Sequence, residues 1–233
     1  MKNNLPLILK KYQSEFCDVV EFNSKFEKLV ALDFTKNNLE FSTNIFENIY
    51  LFSSYIIKKL TQYDAKFGIG GYLELREVYS RSNLFDGNNV QQEPRRLHLG
   101  TDIWGLVNTK IFSPLDAEVH SFSNNNQNGD YGATIILKHQ LDKINFYTLY
   151  GHLSLKDINH LEKGTSIKKG EHFAHFGNPS ENGNWPPHLH FQIINDLENC
   201  SGDYSGVCAL SQEGKYAKNC PNPDLILQLN QFC

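Results

Sequence analysis

The sequence predicts an α+β fold, in which a helix-containing N-terminal extension precedes a mainly antiparallel β-sheet. From Leu97 onward, short segments rich in β-branched and aromatic residues alternate with polar turns, which is typical of antiparallel strands. Before that point the clearest signal is a run of apolar residues at three-to-four spacing, which is typical of a helix. We therefore expect an extension over residues 1–90, a β-rich domain over residues 91–198, and a cysteine-containing tail over residues 199–233 packed on that domain.

The extension is expected to contain two helices and two strand-like segments. Leu5–Phe16 is a short helical candidate, and Thr43–Tyr63 is the clearest helix because its apolar residues recur every three to four positions. Glu27–Phe34 has the composition of a strand, and Tyr72–Tyr79 alternates partly like one. The glycine-rich Phe67–Gly71 is expected to interrupt regular structure between them.

The second part of the chain is expected to form the sheet. Its strand candidates are Lys110–Phe122 (two pieces around Pro114), Tyr131–His139, Asn145–Leu153 and His188–Ile194. Thr165–Gly177 has the pattern of a hairpin with its turn near Gly170. Strands at this spacing, joined by tight turns, favour an antiparallel arrangement.

Composition places the chain among soluble globular proteins, because 40% of its 233 residues are hydrophobic and 21% are charged. The formal net charge of −4 argues against nucleic acid as a partner held by bulk charge. No run approaches the ~20 apolar residues of a membrane helix. The apolar stretch Leu5–Leu9 is shorter than the about 7–15 residues of a secretory signal, so the sequence by itself predicts a cytoplasmic chain.

The five cysteines lie mostly in the tail: Cys200, Cys208, Cys220 and Cys233 follow the single upstream Cys17. Their wide spacings include no C-x-x-C pair, so a zinc knuckle is not expected. Disulfides in the tail and free, buried thiols both stay open, since the choice depends on the redox compartment.

Two histidines one residue apart, His188 and His190, stand in the strand-like segment HLHFQII. Alternate side chains of a strand point to the same face, so the two imidazoles share one face with Cα atoms about 6.5–7 Å apart. Leu189, Phe191 and Ile193 then face the opposite side, toward a core. The pair is either a metal or catalytic site, or an exposed histidine face on an edge strand.

His98 and Asp102 offer a second imidazole and a carboxylate on one face of an extended segment, and Gly100 allows close backbone approach between them. A histidine and a carboxylate on one rigid element form half of a common zinc site, although an unrelated surface pair has the same spacing. His152 follows Gly151 near the end of a strand, where catalytic side chains are often placed.

Taken together, HLGTD, YGHLS and HLHF occur in an order that resembles the zinc metallopeptidases of family M23, the lysostaphin-like and LytM-like peptidoglycan endopeptidases. That family carries an H-x-x-x-D motif, a Tyr-x-His-Leu segment and a final H-x-H on a strand. The resemblance covers about Leu97 to Ile194 and implies an M23-type, mainly antiparallel catalytic domain.

The resemblance also implies the parts of the site. His98, Asp102 and His190 would bind one Zn²⁺ per chain and leave an open position, as catalytic zinc sites do. His152 and His188 would be the catalytic histidines. The implied activity is a metalloendopeptidase, a hydrolase of peptidoglycan peptides or related short peptides, and the implied location is the cell envelope.

The segment before H-x-H differs from the family pattern. Relatives approach this motif through a turn rich in Ser, Thr and Gly, whereas this chain has Trp185, Pro186 and Pro187. We expect these residues to form a stiffer and more apolar wall beside the metal. The H-E-x-x-H motif of other metallopeptidases is absent from the sequence.

Several further residues are candidates for supporting the site. His139 ends a strand nearby, and Arg76, Tyr79, Arg95 and Arg96 precede the first motif, where they either line a substrate groove or belong to the solvated surface. The other histidines are expected to be structural or exposed: His120, His160, His172 and His175.

Two other functions stay open. One is a latent or non-catalytic M23-like regulatory or binding protein, in which Asn88, Asn89 or Glu93 supplies a fourth zinc ligand. The other is a zinc amide hydrolase with a substrate outside the cell wall.

Overall fold

The fold was described from a computed structural model over residues 4–86 and 92–233. It is α+β and mainly antiparallel, as the sequence predicts. Its largest sheet has eight strands in the order β1-β2-β4-β11-β8-β7-β6-β9, and only β1 and β2 pair in parallel. Two smaller sheets pair β10 with β5 and β12 with β3. The strands are β1 (Leu29–Leu32), β2 (Phe67–Gly70), β3 (Leu97–His98), β4 (Thr101–Trp104), β5 (Lys110–Phe112), β6 (Ala117–Asn125), β7 (Gly132–Leu141), β8 (Ile144–Leu153), β9 (Ser166–Ile167), β10 (His172–His175), β11 (His188–Ile194) and β12 (Val207–Cys208).

The α-helices lie before β3 and after β12 in the sequence: α1 (Leu5–Lys11), α2 (Thr43–Glu47), α3 (Ile49–Tyr63), α4 (Glu213–Asn219) and α5 (Asp224–Leu227). The single helix predicted for Thr43–Tyr63 is broken at Asn48, which has extended dihedrals (φ −107°, ψ 113°). Its side chain accepts hydrogen bonds from the backbone N–H groups of Tyr50 and Leu51, so it caps α3. Across residues 4–86 and 92–233, no helix has the length and apolarity that a membrane span requires.

The structure corrects two predictions in the extension. The glycine-rich Phe67–Gly71 does not interrupt regular structure, because Phe67–Gly70 is strand β2 at the side of β4. Tyr72–Tyr79 is not a strand, and its second half enters a 3₁₀ helix at Glu77–Arg81. A Cβ at Gly70 would lie 2.7 Å from the guanidinium of Arg76, so the missing side chain admits that group beside the sheet.

The hairpin predicted for Thr165–Gly177 is also wrong. Its two strands pair with different partners, β9 with β6 and β10 with β5. The turn at Gly170 is present (φ 74°), but the Gly170 N–H donates to the carbonyl of Ser113 rather than closing a two-stranded ladder.

The sheet separates two apolar regions, and β11 lies between them with all seven of its residues buried. Leu189, Phe191 and Ile193 belong to the main core, as the alternation of the sequence predicts. A second cluster joins aromatic residues of the extension to Trp104 of β4 and to Trp185. Strands β1 and β2 therefore extend the same sheet that carries the histidines, and the division of the chain into three units stays a prediction.

All five cysteines are free thiols, so the structure contains no disulfide among them. Cys208 and Cys220 are buried, and burial raises the pKa of the Cys220 thiol to about 12. These two residues behave as small apolar side chains of the tail.

Candidate metal centre

Strands β3, β4 and β11 bring His98, Asp102 and His190 together. The antiparallel register of β4 and β11 sets His190 directly opposite Asp102. Asp102 Oδ1 lies 3.2 Å from His98 Nε2 and 3.2 Å from His190 Nδ1, and the two nitrogens are 2.9 Å apart. Within the described ranges this is the one group of three or more His, Cys, Asp or Glu residues arranged to hold a metal ion.

Hydrogen bonds on the far side of each imidazole fix which nitrogen faces the cluster. His98 Nδ1–H donates to the carbonyl of Gly71 at 2.8 Å, and His190 Nε2–H donates to Gln192 Oε1 at 2.9 Å. The Gln192 amide nitrogen itself donates to the carbonyl of Ser205, which fixes the orientation of the amide. His98 Nε2 and His190 Nδ1 therefore keep their lone pairs, and such anchoring is typical of metal-binding histidines.

Electrostatics favour the deprotonated forms of His98 and Asp102 at neutral pH. Burial, with the nearby Arg76, lowers the pKa of His98 to about 4. Burial opposes ionisation of Asp102, but His98 and Arg76 hold the pKa of its carboxyl well below the ordinary value. Three electron-rich atoms thus converge on one point, an arrangement that a cation stabilises.

Zinc fits this donor set. Tetrahedral zinc with bonds of about 2.0–2.2 Å to nitrogen and oxygen has neighbouring ligand atoms about 3.3 Å apart. The three observed separations are 2.9, 3.2 and 3.2 Å. Two imidazoles and one carboxylate are common zinc ligands, and three protein ligands leave one position open, as in catalytic sites.

Gly100, between β3 and β4, makes this convergence possible. A Cβ at this position would lie 2.5 Å from His190 Cε1 and 2.6 Å from His190 Nε2. The close approach inferred from the sequence thus serves the ring of His190.

His152 and His188 lie beside the three-residue cluster, with their ring centroids 4.1 Å apart. Each ring is anchored through Nδ1–H, which donates to the carbonyl of Asn182 in His152 and of Pro186 in His188, both at 2.8 Å. Nε2 of each ring is therefore the unprotonated nitrogen. The ring of Trp104 stacks on His188 at 3.9 Å and fixes its plane.

A β-bulge in β8 sets the orientation of the His152 side chain. Tyr150 pairs with Ile135 and Leu153 with Ala133, so two residues of β8 oppose a single residue of β7 at this point. His152 takes the left-handed conformation there (φ 62°), which is unfavourable for a residue other than glycine. Local strain of this kind often accompanies function.

Both of these histidines are neutral at neutral pH. Burial lowers the pKa of His188 to about 4, and burial together with the neighbouring His188 lowers the pKa of His152 well below its usual value. Each ring can therefore accept a proton through Nε2, which is the requirement for a general base.

A cavity of about 150 Å³ opens on this group. Its lining includes His152, His188, His190 and Asp102. Its aromatic wall has eight Phe, Tyr or Trp residues: Phe34, Phe52, Tyr79, Phe85, Trp104, Tyr131, Trp185 and Tyr204. The ring of Trp185 lies 6.0 Å from that of His152 and 6.2 Å from that of His188. Of the three residues predicted to form an apolar wall, Trp185 lines the cavity, whereas Pro186 and Pro187 do not.

Two further residues named as candidates for supporting the site, His139 and Arg76, have other contacts than the sequence suggests. His139 lies away from the cluster, with Nδ1–H donating to the Asp116 carbonyl and Nε2 against Thr148 Oγ1. Arg76 is neither a surface residue nor free to bind a substrate carboxylate, because it is buried and paired with Asp102.

Arg95 and Tyr79 line the cavity, whereas Arg96 pairs with Asp86. Among the proposed fourth ligands, Asn88 and Asn89 lie outside the described residues, and Glu93 accepts a hydrogen bond from the Ser211 N–H instead.

Two contacts of the metal-ligand candidates were not predicted from the sequence: Gln192 with His190, and Arg76 with Asp102. Gln192 continues the two-residue period of His188 and His190, and this signal was sufficient to place its side chain on the same face. Arg76 gave no such signal, because its contact with Asp102 depends on how the extension packs.

Comparison with known proteins agrees with the motifs. The family model described as Peptidase family M23 matches residues 96–201. Similar solved structures include a zinc containing peptidase from Vibrio cholerae (26% identity, 42% of this chain and 27% of that chain, TM-score 0.34). A second is a putative peptidase M23 from Pseudomonas aeruginosa (16% identity, 57% of this chain and 44% of that chain, TM-score 0.38). A third is the catalytic domain of the antimicrobial peptidase lysostaphin from Staphylococcus simulans (21% identity, 52% of this chain and 80% of that chain, TM-score 0.36).

The chain spans 27% and 44% of the lengths of the first two of these proteins. No curated protein matches the sequence. The resemblance predicted from the three motifs is confirmed, because the model of peptidase family M23 matches residues 96–201 of this chain.

Proposed function

We propose that the protein is a zinc-dependent metalloendopeptidase that hydrolyses peptide bonds in peptidoglycan-type peptides. The observation that carries the proposal is the convergence of His98 Nε2, Asp102 Oδ1 and His190 Nδ1 beside His152 and His188. A purely structural zinc site would be closed by a fourth protein ligand. The peptidase family and the adjoining cavity support a catalytic role.

Zinc bound by His98, Asp102 and His190 would supply Lewis acidity toward a substrate carbonyl and toward water. Either His188 or His152 would accept one proton from the attacking water through Nε2, since the Nδ1–H groups of both rings are held by backbone carbonyls. The protonated ring would then stabilise the developing oxyanion and deliver the proton to the leaving amine. The aromatic walls exclude bulk water from these transfers.

The proposal is tested by incubating zinc-loaded protein with purified peptidoglycan and with defined cross-bridge peptides, and by identifying products by mass spectrometry. Cleavage at a defined bond, lost on chelation and restored by zinc, is the expected result. Zinc bound at one ion per chain with no cleavage of any substrate would contradict the peptidase proposal.

A latent enzyme is the second candidate, and the burial of the site favours it. The exposed fractions are 0% for His98, 2% for Asp102, 6% for His152, 2% for His188 and 3% for His190. In a latent enzyme, the aromatic wall would have to move before a peptide chain could reach these side chains. In that case the intact protein binds zinc without cleaving, and the Tyr79→Ala/Phe85→Ala variant gains cleavage.

The third candidate function is a zinc amide hydrolase that acts outside the cell wall. Testing further substrates distinguishes it from a peptidoglycan peptidase. Cleavage of other acylated amines, with none of peptidoglycan or its peptides, would favour this third function.

A further inference from the structure

Arg76 makes a buried contact with the carboxylate of the cluster. Its Nη1 lies 2.5 Å from Asp102 Oδ2, and its side chain is only 2% exposed. The other oxygen, Oδ1, faces His98 and His190 at 3.2 Å each. Arg76 belongs to the segment between β2 and β3, outside the part of the chain that matches the peptidase family. The guanidinium therefore binds Oδ2, and Oδ1 is left facing the two imidazoles.

The guanidinium itself is held on three sides. Nε donates to Glu74 Oε2 at 2.5 Å, Nη2 to the Gly71 carbonyl at 3.4 Å, and Nη1 to the Tyr79 hydroxyl at 3.3 Å. A side chain at Gly70 would displace it, since a Cβ there would lie 2.7 Å from Nη2. These contacts fix the position of the Arg76 guanidinium. The guanidinium in turn fixes the position of Asp102 Oδ2.

Charge explains why Glu74 is part of the arrangement. A guanidinium alone beside the cluster would repel a divalent cation at short range. The Glu74 carboxylate, itself only 11% exposed, neutralises Arg76 on the side away from Asp102. The pair therefore orients the ligand carboxylate without adding net positive charge to the site.

We propose that Glu74 and Arg76 are a positioning pair that makes Asp102 bind the metal through Oδ1 alone. By holding Oδ2, the pair prevents the carboxylate from binding with both oxygens and so keeps a position open for water and substrate. The inference rests on the proposed zinc site. It assigns to the N-terminal extension a direct part in the geometry of the metal centre, together with the Gly71 carbonyl that orients His98.

The test is a charge-neutral double variant, Glu74→Gln/Arg76→Met, which removes one positive and one negative charge. We expect its zinc affinity, measured by competition with a chromogenic chelator, to fall about 10–100-fold, which is typical when a group supporting a metal ligand is lost. The matched control is Asp86→Asn/Arg96→Met, the same two chemical changes on an ion pair that does not touch the cluster. The control is expected to bind zinc as the wild type does.

Cobalt substitution provides a readout that a merely structural role would not change. Four-coordinate cobalt(II) absorbs visible light more strongly than five-coordinate cobalt(II). We expect the wild type and the control to give the intense spectrum, and the Glu74→Gln/Arg76→Met variant to give a weaker, shifted one as Asp102 Oδ2 becomes free. Wild-type affinity together with a wild-type spectrum in this variant would overturn the proposal.

Circular dichroism shows whether the double variant is folded. If it is not, Arg76→Lys replaces it, because an ammonium keeps the charge but cannot contact Asp102, Glu74 and Gly71 at once. A weaker zinc affinity in Arg76→Lys supports the pair, and an unchanged affinity and cobalt spectrum contradict it. Absence of zinc binding in the wild type would instead refute the proposed function.

Discussion

Gly100 lies between two of the metal-ligand candidates, and its lack of a side chain leaves room for the ring of His190. Gly100→Ala would place a Cβ 2.5 Å from His190 Cε1, and the backbone on both sides belongs to strands that cannot easily shift. We expect the variant to bind zinc at least about tenfold more weakly, as measured by isothermal titration calorimetry. Gly214→Ala is the control, because a Cβ there meets no atom within 4 Å. Equal zinc affinity in the two variants would show that His190 does not need this space.

His188 and His190 occupy one strand face but are expected to have separable roles. His190→Ala removes a lone pair from the cluster, so zinc measured by elemental analysis should fall far below one ion per chain. His188→Ala leaves all three ligands in place, so zinc should stay bound while kcat falls by about 10²–10⁴, the range expected for a general base. Full zinc occupancy in the first variant, or full activity in the second, would mean that these roles are assigned wrongly.

The residue-level geometry was predictable where it follows from local periodicity. Same-face placement of His188 and His190 needs only the two-residue period of a strand, and the closeness of His98 and Asp102 needs only an extended chain with Gly100 between them. The tautomers were not predictable, because they depend on carbonyls such as that of Gly71, which reach the imidazoles only after the sheet has formed.

At the scale of elements, the α2–α3 break shows how one side chain divides a helix. The period across Thr43–Tyr63 continues through Asn48, so the pattern alone indicates one helix. The structure has two, because Asn48 satisfies the N–H groups of Tyr50 and Leu51 from an extended backbone. Capping chemistry, rather than periodicity, determines where α3 begins.

This cap makes a quantitative prediction for Asn48→Ala. The Asn48 side-chain oxygen accepts from the Tyr50 N–H at 2.9 Å and from the Leu51 N–H at 3.3 Å. Loss of these bonds should lower the free energy of unfolding by about 1 kcal/mol, measured by urea denaturation. Asn48→Asp should keep most of that stability, since aspartate caps equally well. If the alanine and aspartate variants were equally stable, the cap would not be stabilising α3.

The bulge in β8 is an element-scale feature that the sequence does not reveal. His152 lies near the end of its strand, as predicted, but β8 gains an extra residue before it ends at Leu153. A bulge depends on the register between two strands, and no local pattern encodes that register.

At the scale of the whole molecule, the extension shares one sheet with residues 96–201, the segment that the M23 family model matches. Strand β2 pairs with β4 and places Gly71 beside His98, while the following residues reach Asp102 through Arg76. The sequence predicted the fold class, since this follows from composition and periodicity. It could not predict that the extension reaches the metal centre, because the pair β2–β4, which brings it there, links residues far apart in the chain.

Stability of the whole molecule should depend on pH through His139, which is remote from the metal centre. Its Nδ1–H donates to the Asp116 carbonyl, and burial lowers the pKa of the ring to about 4. The unfolded chain, with a pKa near the ordinary ~6.5, binds more protons below that pH, so stability is full above about 6.5 and is lost as the pH falls toward 4.

The corresponding prediction is that His139→Gln flattens this dependence. The wild-type free energy of unfolding should fall more steeply than that of the variant between pH 7 and pH 4.5, by about 1–3 kcal/mol. Urea denaturation of metal-free protein at each pH measures the difference, because the site histidines are then the same in both proteins and cancel. Parallel pH profiles would show that His139 is protonated as easily in the folded protein as in the unfolded chain.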